Sequence, residues 1–193
     1  MVVSSLSVLV TGGAGYIGSH VVLALLDAGH RVTVIDNLST GFRWAVPPAA
    51  AFYEGDIADR LLVSKVIHER EIDAIMHFAG SVIVPESISN PLKYYRNNTV
   101  GTQPLLECTV SKGVRHFVFS SSAAVYGDPT SIPVNEDATP RPINPYGVSK
   151  LMTEMMLRDV AAAHPFNFCA LRYFNVAGAD PNGRAGQSTT AAT

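Results

Sequence analysis

The chain has 193 residues, 47% of them hydrophobic and 16% charged, with a net charge of −2. That supplies enough apolar material for one packed α/β domain of good size, and the near-neutral balance gives no electrostatic case for nucleic acid or an anionic membrane. No apolar run approaches the ~18 residues of a membrane span, and Met1 to Leu6 lacks the basic stretch and cleavage site of a secretory leader.

Leu6 to Val10 is an apolar run that reads as a buried strand. Thr11-Gly12-Gly13-Ala14-Gly15-Tyr16-Ile17-Gly18 follows, and then a helical pattern with Ile17, Val21, Val22, Leu25 and Leu26 on one face. Strand, glycine turn and helix is the setting in which a glycine fingerprint carries meaning. The first glycines permit a turn with φ > 0. Gly15 lets a pyrophosphate approach the backbone, and Gly18 allows close packing of helix on strand. The free N–H groups and positive dipole end of the helix would hold phosphates. Arg31 to Ile35 is a second strand, ending at Asp36, 18 residues after Gly18. A carboxylate there accepts hydrogen bonds from an adenosine ribose and repels a 2′-phosphate, which favours NAD over NADP.

Asn37 to Gly41 is a polar loop, and Ala51 to Tyr53 a short third strand. Asp56 stands at a strand tip that could meet an adenine ring; it is equally suited to cap a helix over 58–70. Asp73 to Phe78 is the fourth strand, with Ala79-Gly80 behind it. The spacing predicts a helix from about Pro91 to Lys112, with Val100, Leu105, Leu106 and Val110 in the core and Asn97 or Asn98 facing a site. Val114 to Ser120 is the fifth strand, ending in Ser120-Ser121-Ser122. Five prolines between Asp128 and Pro145 mark a long irregular segment of the kind that carries function. Asn144 as N-cap and Pro145 at the first helical position open a helix to about Ala163. Phe168 to Tyr173 is the sixth strand.

Alternation of strand and helix predicts a doubly wound parallel sheet of the Rossmann type, with its ligand at the carboxyl edge. Cys108 and Cys169 are expected as buried thiols, His77 as structural, and no histidine or cysteine spacing suggests a metal site. Tyr146 and Lys150 lie at i and i+4, on one helical face. An ammonium near a phenol favours phenolate, and a hydroxyl from Ser122 could bind the same substrate oxygen. Together they form a general acid/base for an alcohol proton.

These motifs resemble the extended short-chain dehydrogenase/reductases, and within them the UDP-glucose 4-epimerase family. The resemblance rests on Thr11 to His20, Asp36-Asn37-Leu38-Ser39, Gly55-Asp56-Ile57, His77-Phe78-Ala79-Gly80, Pro91 to Asn98, Ser120 to Gly127, Pro145 to Lys150 and Arg172-Tyr173-Phe174-Asn175. It implies Tyr146 as base, Lys150 on the nicotinamide ribose and Ser122 on the sugar hydroxyl. It implies a cofactor site of Gly12, Gly15, Tyr16, Ile17, Gly18, Asp36, Asn37, Ser39, Asp56, Ile57, Phe78, Ala79 and Asn97. Asn175 would contact the UDP-sugar. It further implies a cytoplasmic isomerase of galactose metabolism that keeps NAD, converts UDP-glucose and UDP-galactose through a 4-keto sugar, and acts as a homodimer. Two departures stand out. Ser81-Val82 occupies the place where some members carry a lysine, and Ala123-Ala124 stands where the 4,6-dehydratases place Asp-Glu. Residues 1–177 are expected as the NAD-binding domain and 178–193 as the start of a substrate-binding part. Members of that family continue further, so the chain is expected to bind NAD without epimerising and to expose apolar surface. The runner-up enzyme is a 4-epimerase of another nucleotide sugar or a 4,6-dehydratase, and the alternative of another class is a non-catalytic NAD-binding module.

Overall fold

The computed structural model describes residues 5–188. The leader reading at residues 1–4 and the last five residues of the 178–193 segment lie outside the described residues. Six parallel strands form one sheet in the order β3-β2-β1-β4-β5-β6. They are β1 Ser7–Thr11, β2 Arg31–Asp36, β3 Ala51–Glu54, β4 Ala74–His77, β5 His116–Ser120 and β6 Asn167–Leu171. The helices are α1 Tyr16–Asp27, α2 Arg60–Glu69, α3 Val84–Ser89, α4 Pro91–Tyr94, α5 Thr102–Ser111 and α6 Pro145–Ala163, with a π-turn over Tyr95–Val100.

The central strands are apolar on both faces because helices cover both. Two clusters result, one holding Leu9, Ile75, Phe117, Phe119, Leu105 and Leu157, the other Val8, Val10, Val22, Val32 and Val34. The strands end in step: Thr11 pairs Ile35 and His77, His77 pairs Phe119, and Asp36 pairs Glu54. The strand order reverses between β1 and β4, which opens the crevice where ligands of such sheets bind.

Several readings need correction. The predicted helix over 91–112 is interrupted by the π-turn, which leaves Val100 exposed. The buried positions there run Asn98, Thr102, Leu105, Leu106 and Thr109, and Val100 lies opposite them. The helix after Asp56 starts at Arg60, and Asp59 is its N-cap, accepting from the N–H groups of Leu61 and Leu62. Asp56 instead closes a local turn, accepting from Ala58 N–H at 2.9 Å. The sixth strand stops at Leu171, before Tyr173. Cys169 is exposed, because it lies on the edge strand β6; Cys108 is buried as expected. The helix over 84–89 was not foreseen.

His77 is buried at the end of β4, as the structural reading requires. Its Nδ1 lies 2.7 Å from Thr11 Oγ1 and its Nε2 3.0 Å from Thr102 Oγ1. The Thr102 hydroxyl donates its proton to the Asn98 carbonyl, so His77 carries its hydrogen on Nε2 and accepts from Thr11 on Nδ1. Burial first, and the Lys150 charge second, lower its pKa to about 3. The unfolded chain therefore binds a proton below pH 6.5 that the folded chain refuses. Stability from His77 is complete above pH 6.5 and is lost as pH falls toward 3, at about 1.4 kcal/mol per pH unit. Denaturant midpoints between pH 4 and 7 should show this slope, and His77→Gln should flatten it. Equal slopes for the two chains would remove His77 from this role.

Candidate active site

At the head of the crevice the chain turns through Gly12, at φ 72°. A side chain there is blocked by conformation and by space, since its Cβ would lie 2.5 Å from Ala79 N. A Cβ on Gly18 would fall 2.1 Å from the Gly12 carbonyl oxygen, so α1 sits directly on the turn. Helix α1 has no side-chain cap and no acid in its first turn. The N–H groups at Tyr16, Ile17 and Gly18 therefore point out of the helix end without a carboxylate to compensate them.

Asp36 ends β2 and is 8% exposed. One carboxylate oxygen accepts from Ala14 N–H at 2.9 Å and the other from Leu38 N–H at 2.8 Å. The acid is thus fixed against the glycine loop with lone pairs left for a ligand. Asn37 Nδ2 donates to Asp56 Oδ2 at 3.1 Å, and its Oδ1 accepts from Ser39 N–H at 3.1 Å. These bonds join the tips of β2 and β3, and Ile57 is buried beside them. Phe78 and Ala79 follow β4, half-buried, across the crevice. An anion-binding helix end, a ribose-sized pair of acceptors and glycines where side chains would obstruct fit a dinucleotide.

The second half of the site hangs on α6, which starts at the Asn144 cap as the sequence predicts; its Oδ1 accepts from Gly147 N–H at 2.8 Å. Lys150 is 2% exposed and donates to the Ser120 carbonyl at 2.8 Å. Its Nζ lies 5.8 Å from the centre of the Tyr146 ring and 5.0 Å from that of Phe119. Burial lowers its pKa to about 8, which still leaves it mostly cationic at neutral pH. Tyr146 is half-buried, edge-on to Tyr94 with 6.3 Å between ring centres.

The expectation that Lys150 depresses Tyr146 is not met in the chain alone. Burial raises the Tyr146 phenol, and an interaction with Ser122 pulls it partly back. The ammonium donates to the Ser120 carbonyl and stands 5.8 Å from the centre of the Tyr146 ring. Ser122 caps the next turn, its Oγ accepting from Ala124 N–H at 3.1 Å.

Asn98, not Asn97, is the buried member of the asparagine pair. Its Oδ1 accepts from Ser81 N–H at 2.8 Å, and its Nδ2 donates to the Ser81 carbonyl and to Ser149 Oγ, each at 3.0 Å. The π-turn delivers it there, and single-turn π segments favour functional sites. Asn97 is exposed, its Nδ2 donating to Ser81 Oγ at 3.0 Å. Asn175 is exposed beyond β6. Tyr16 reaches the same segment, its hydroxyl donating to the Gly178 carbonyl at 2.6 Å. Sequence reasoning gave no role to Ser81, Tyr94 or the Glu154–Arg172 pair. The first had no chemical signal, but an acid one turn beyond Lys150 on the same helix face was visible.

Residues 8–192 match the NAD dependent epimerase/dehydratase family. The chain is 59% identical over 186 residues to a UDP-glucose 4-epimerase of Azospirillum brasilense, covering 96% of this chain and 53% of that protein. A UDP-glucose 4-epimerase from Brucella ovis in complex with NAD superposes with a TM-score of 0.93 at 45% identity, covering 96% of this chain and 57% of the other. One from Bifidobacterium longum in complex with NAD+ and UDP gives a TM-score of 0.91 at 39% identity, covering 96% and 58%. The chain spans about half the length of the curated relatives it matches.

Proposed function

We propose a function from a plain premise: the chain belongs to the NAD dependent epimerase/dehydratase family. Our reading is that it carries the cofactor half and the acid/base of an isomerase that interconverts UDP-glucose and UDP-galactose at C4. The observation that supports it is the meeting of the glycine loop, Asp36, Ser122, Tyr146 and Lys150 at one edge of the sheet. Ala123-Ala124, with no acid at either position, weighs against a dehydratase.

NAD, when bound, supplies a hydride acceptor and donor for the sugar carbon. The residues of this chain do the rest. The first-turn N–H groups of α1 bind the phosphates. Asp36 accepts from the adenosine ribose, with Asn37 and Ser39 beside it, and Asp56 and Ile57 border the adenine. Phe78, Ala79 and Asn97 line the cofactor's far end. Lys150 holds the nicotinamide ribose. Tyr146 Oη takes the proton from the C4 hydroxyl and returns it after the 4-keto sugar has turned. Ser122 Oγ hydrogen-bonds the same oxygen, and Asn175 touches the nucleotide sugar. Residues 1–177 form the NAD-binding domain in this reading, and 178–193 begin the substrate-binding part.

Two titrations test the cofactor half. The 193-residue chain should prefer NAD to NADP by at least tenfold, about 1.4 kcal/mol, since Asp36 meets a 2′-phosphate with like charge. Equal affinity would remove Asp36 from its role. We expect the same chain, saturated with NAD, not to convert UDP-galactose by itself, because Asn175, its one proposed contact to the nucleotide sugar besides Ser122 and Tyr146, is exposed. UDP-glucose appearing at a rate near that of a relative would overturn this part.

The homodimer is also a proposal. Leu92 and Val100 on one helical run, and Met152 and Met155 on its neighbour α6, are exposed apolar side chains on adjacent helices. A second copy covering them would remove that apolar surface from water. Sedimentation should give a dimer that Val100→Glu dissociates; a monomer in both would rule out this face. Among the described residues no helix is long and apolar enough to cross a membrane.

A further inference from the structure

Glu154 is buried on α6, one turn beyond Lys150 on the same face, and the acid/base chemistry above does not use it. Arg172, just past β6, holds it in a fork: Nη2 to Oε2 at 2.6 Å and Nε to Oε1 at 3.0 Å. The third partner is Ser121, whose hydroxyl donates to Glu154 Oε1. Ser121 is itself 1% exposed and immediately precedes Ser122. The serine turn is therefore fastened to α6 twice, by Lys150 at the Ser120 carbonyl and by Glu154 at the Ser121 hydroxyl. The segment after β6 grips the turn from the other side. Ala123 N–H donates to the Tyr173 carbonyl at 2.9 Å, and the Tyr173 and Ser120 hydroxyls are bonded. The Arg172 guanidinium also lies 4.9 Å from the centre of the Tyr126 ring.

We propose that Glu154 is a positioning residue: held by Arg172 and accepting from Ser121, it fixes the turn that presents Ser122 to Tyr146 and ties that turn to the segment carrying Asn175. A charge-assisted fork at a buried carboxylate has one geometry, so it transmits position rather than merely filling space. The catalytic consequence rests on the acid/base reading above; the structural one does not.

The test has two arms. In the 193-residue chain, Glu154→Gln should speed amide hydrogen exchange at Ala123 and Ala124 at least tenfold, with β1 and α1 unchanged. Ser121→Ala, which leaves the Arg172 fork intact, should do the same at Ala124 if the glutamine variant does not fold. Unchanged exchange in a folded variant overturns the proposal without touching the functional reading. The second arm fuses the chain to the remaining half of the Azospirillum relative and follows UDP-galactose conversion. Either variant should lose at least tenfold in kcat, with NAD affinity within threefold. The rising limb of the pH profile should also move to higher pH, because Tyr146 loses the Ser122 contact that pulls its pKa down. The groups facing that phenol are Tyr94, Lys150, Tyr173 and Ser122. A pure charge effect of Glu154→Gln has the opposite sign, since removing an anion favours phenolate. A downward shift or unchanged kcat overturns the positioning role. An inactive parent fusion would strike the functional reading and leave exchange to decide the clamp.

Discussion

Tyr146→Phe should lower turnover at least ~100-fold while leaving NAD affinity nearly unchanged. The substitution deletes one hydroxyl and keeps the ring, so the edge-on contact with Tyr94 survives. Among the described residues that oxygen interacts with Ser122, which keeps its bond to Ala124 N–H in the variant. What is lost, on the function proposed above, is the group that would take the proton from the C4 hydroxyl. General-base removal costs ~10² to 10⁴ in rate, so at least about 2.7 kcal/mol is added to the barrier. The loss should fall equally on kcat and kcat/KM, because the proton moves in the transition state and not on binding. The pH profile sharpens the test. Burial raises the Tyr146 phenol and Ser122 offsets part of that, so oxidation in the parent protein should accelerate as pH rises. The phenylalanine variant should lose that limb. The measurement is UDP-galactose conversion by the chain fused to the remaining half of the Azospirillum relative. A variant that kept most of its activity would assign the proton to another group.

The parts of the fold legible in the sequence are those set by local pattern. Apolar runs gave the strands, and the Asn144-Pro145 pair gave the start of α6, because capping is decided by adjacent residues. The glycine loop and Asp36 were legible for the same reason: a short spacing carries the geometry. The parts that were not legible depend on distant contacts. The sequence offers Asp56 as a cap, but its bonds from Asn37 Nδ2 across the strand tips and from Ala58 N–H hold it in the loop, and Asp59 caps the helix. Nothing in Tyr95 to Val100 announces a π-turn; Asn98 is drawn inward by Ser81 and Ser149, each far away along the chain. Proximity of Lys150 to Tyr146 in sequence does not fix where its ammonium points, and the Ser120 carbonyl at the end of β5 accepts from it. The Glu154–Arg172 fork joins residues 18 apart, and no local spacing marks such a pair.

Gly18→Ala should both destabilise the chain and abolish useful NAD binding, and Gly15→Ala should separate the two effects. An alanine Cβ at 18 would stand 2.1 Å from the Gly12 carbonyl oxygen and 2.8 Å from Gly13 Cα. Both are backbone atoms of a turn that cannot yield, since Gly12 is itself packed against Ala79. Helix α1 must then retreat by about 1 Å to reach ordinary contact, and overpacking of this kind costs ~1–3 kcal/mol. Alanine's better helix propensity returns roughly 0.5–1 kcal/mol. A net loss of up to about 2.5 kcal/mol lowers Tm by up to roughly 10 °C in a chain of this size. Binding suffers more than stability, because the N–H groups of Tyr16, Ile17 and Gly18 move with the helix. Phosphate recognition depends on those groups converging on one point. We expect NAD affinity to fall at least ~100-fold, about 2.7 kcal/mol. At Gly15 the situation differs: φ is −80°, and a Cβ would meet only the Gly12 oxygen, at 3.3 Å. Gly15→Ala should therefore keep Tm within about 2 °C yet lose affinity, because its methyl group enters the space a pyrophosphate needs. Calorimetric titration with NAD beside thermal melting reads both quantities. If Gly18→Ala bound NAD within threefold of the parent chain, the contact between α1 and the glycine turn would not be what positions the phosphate site.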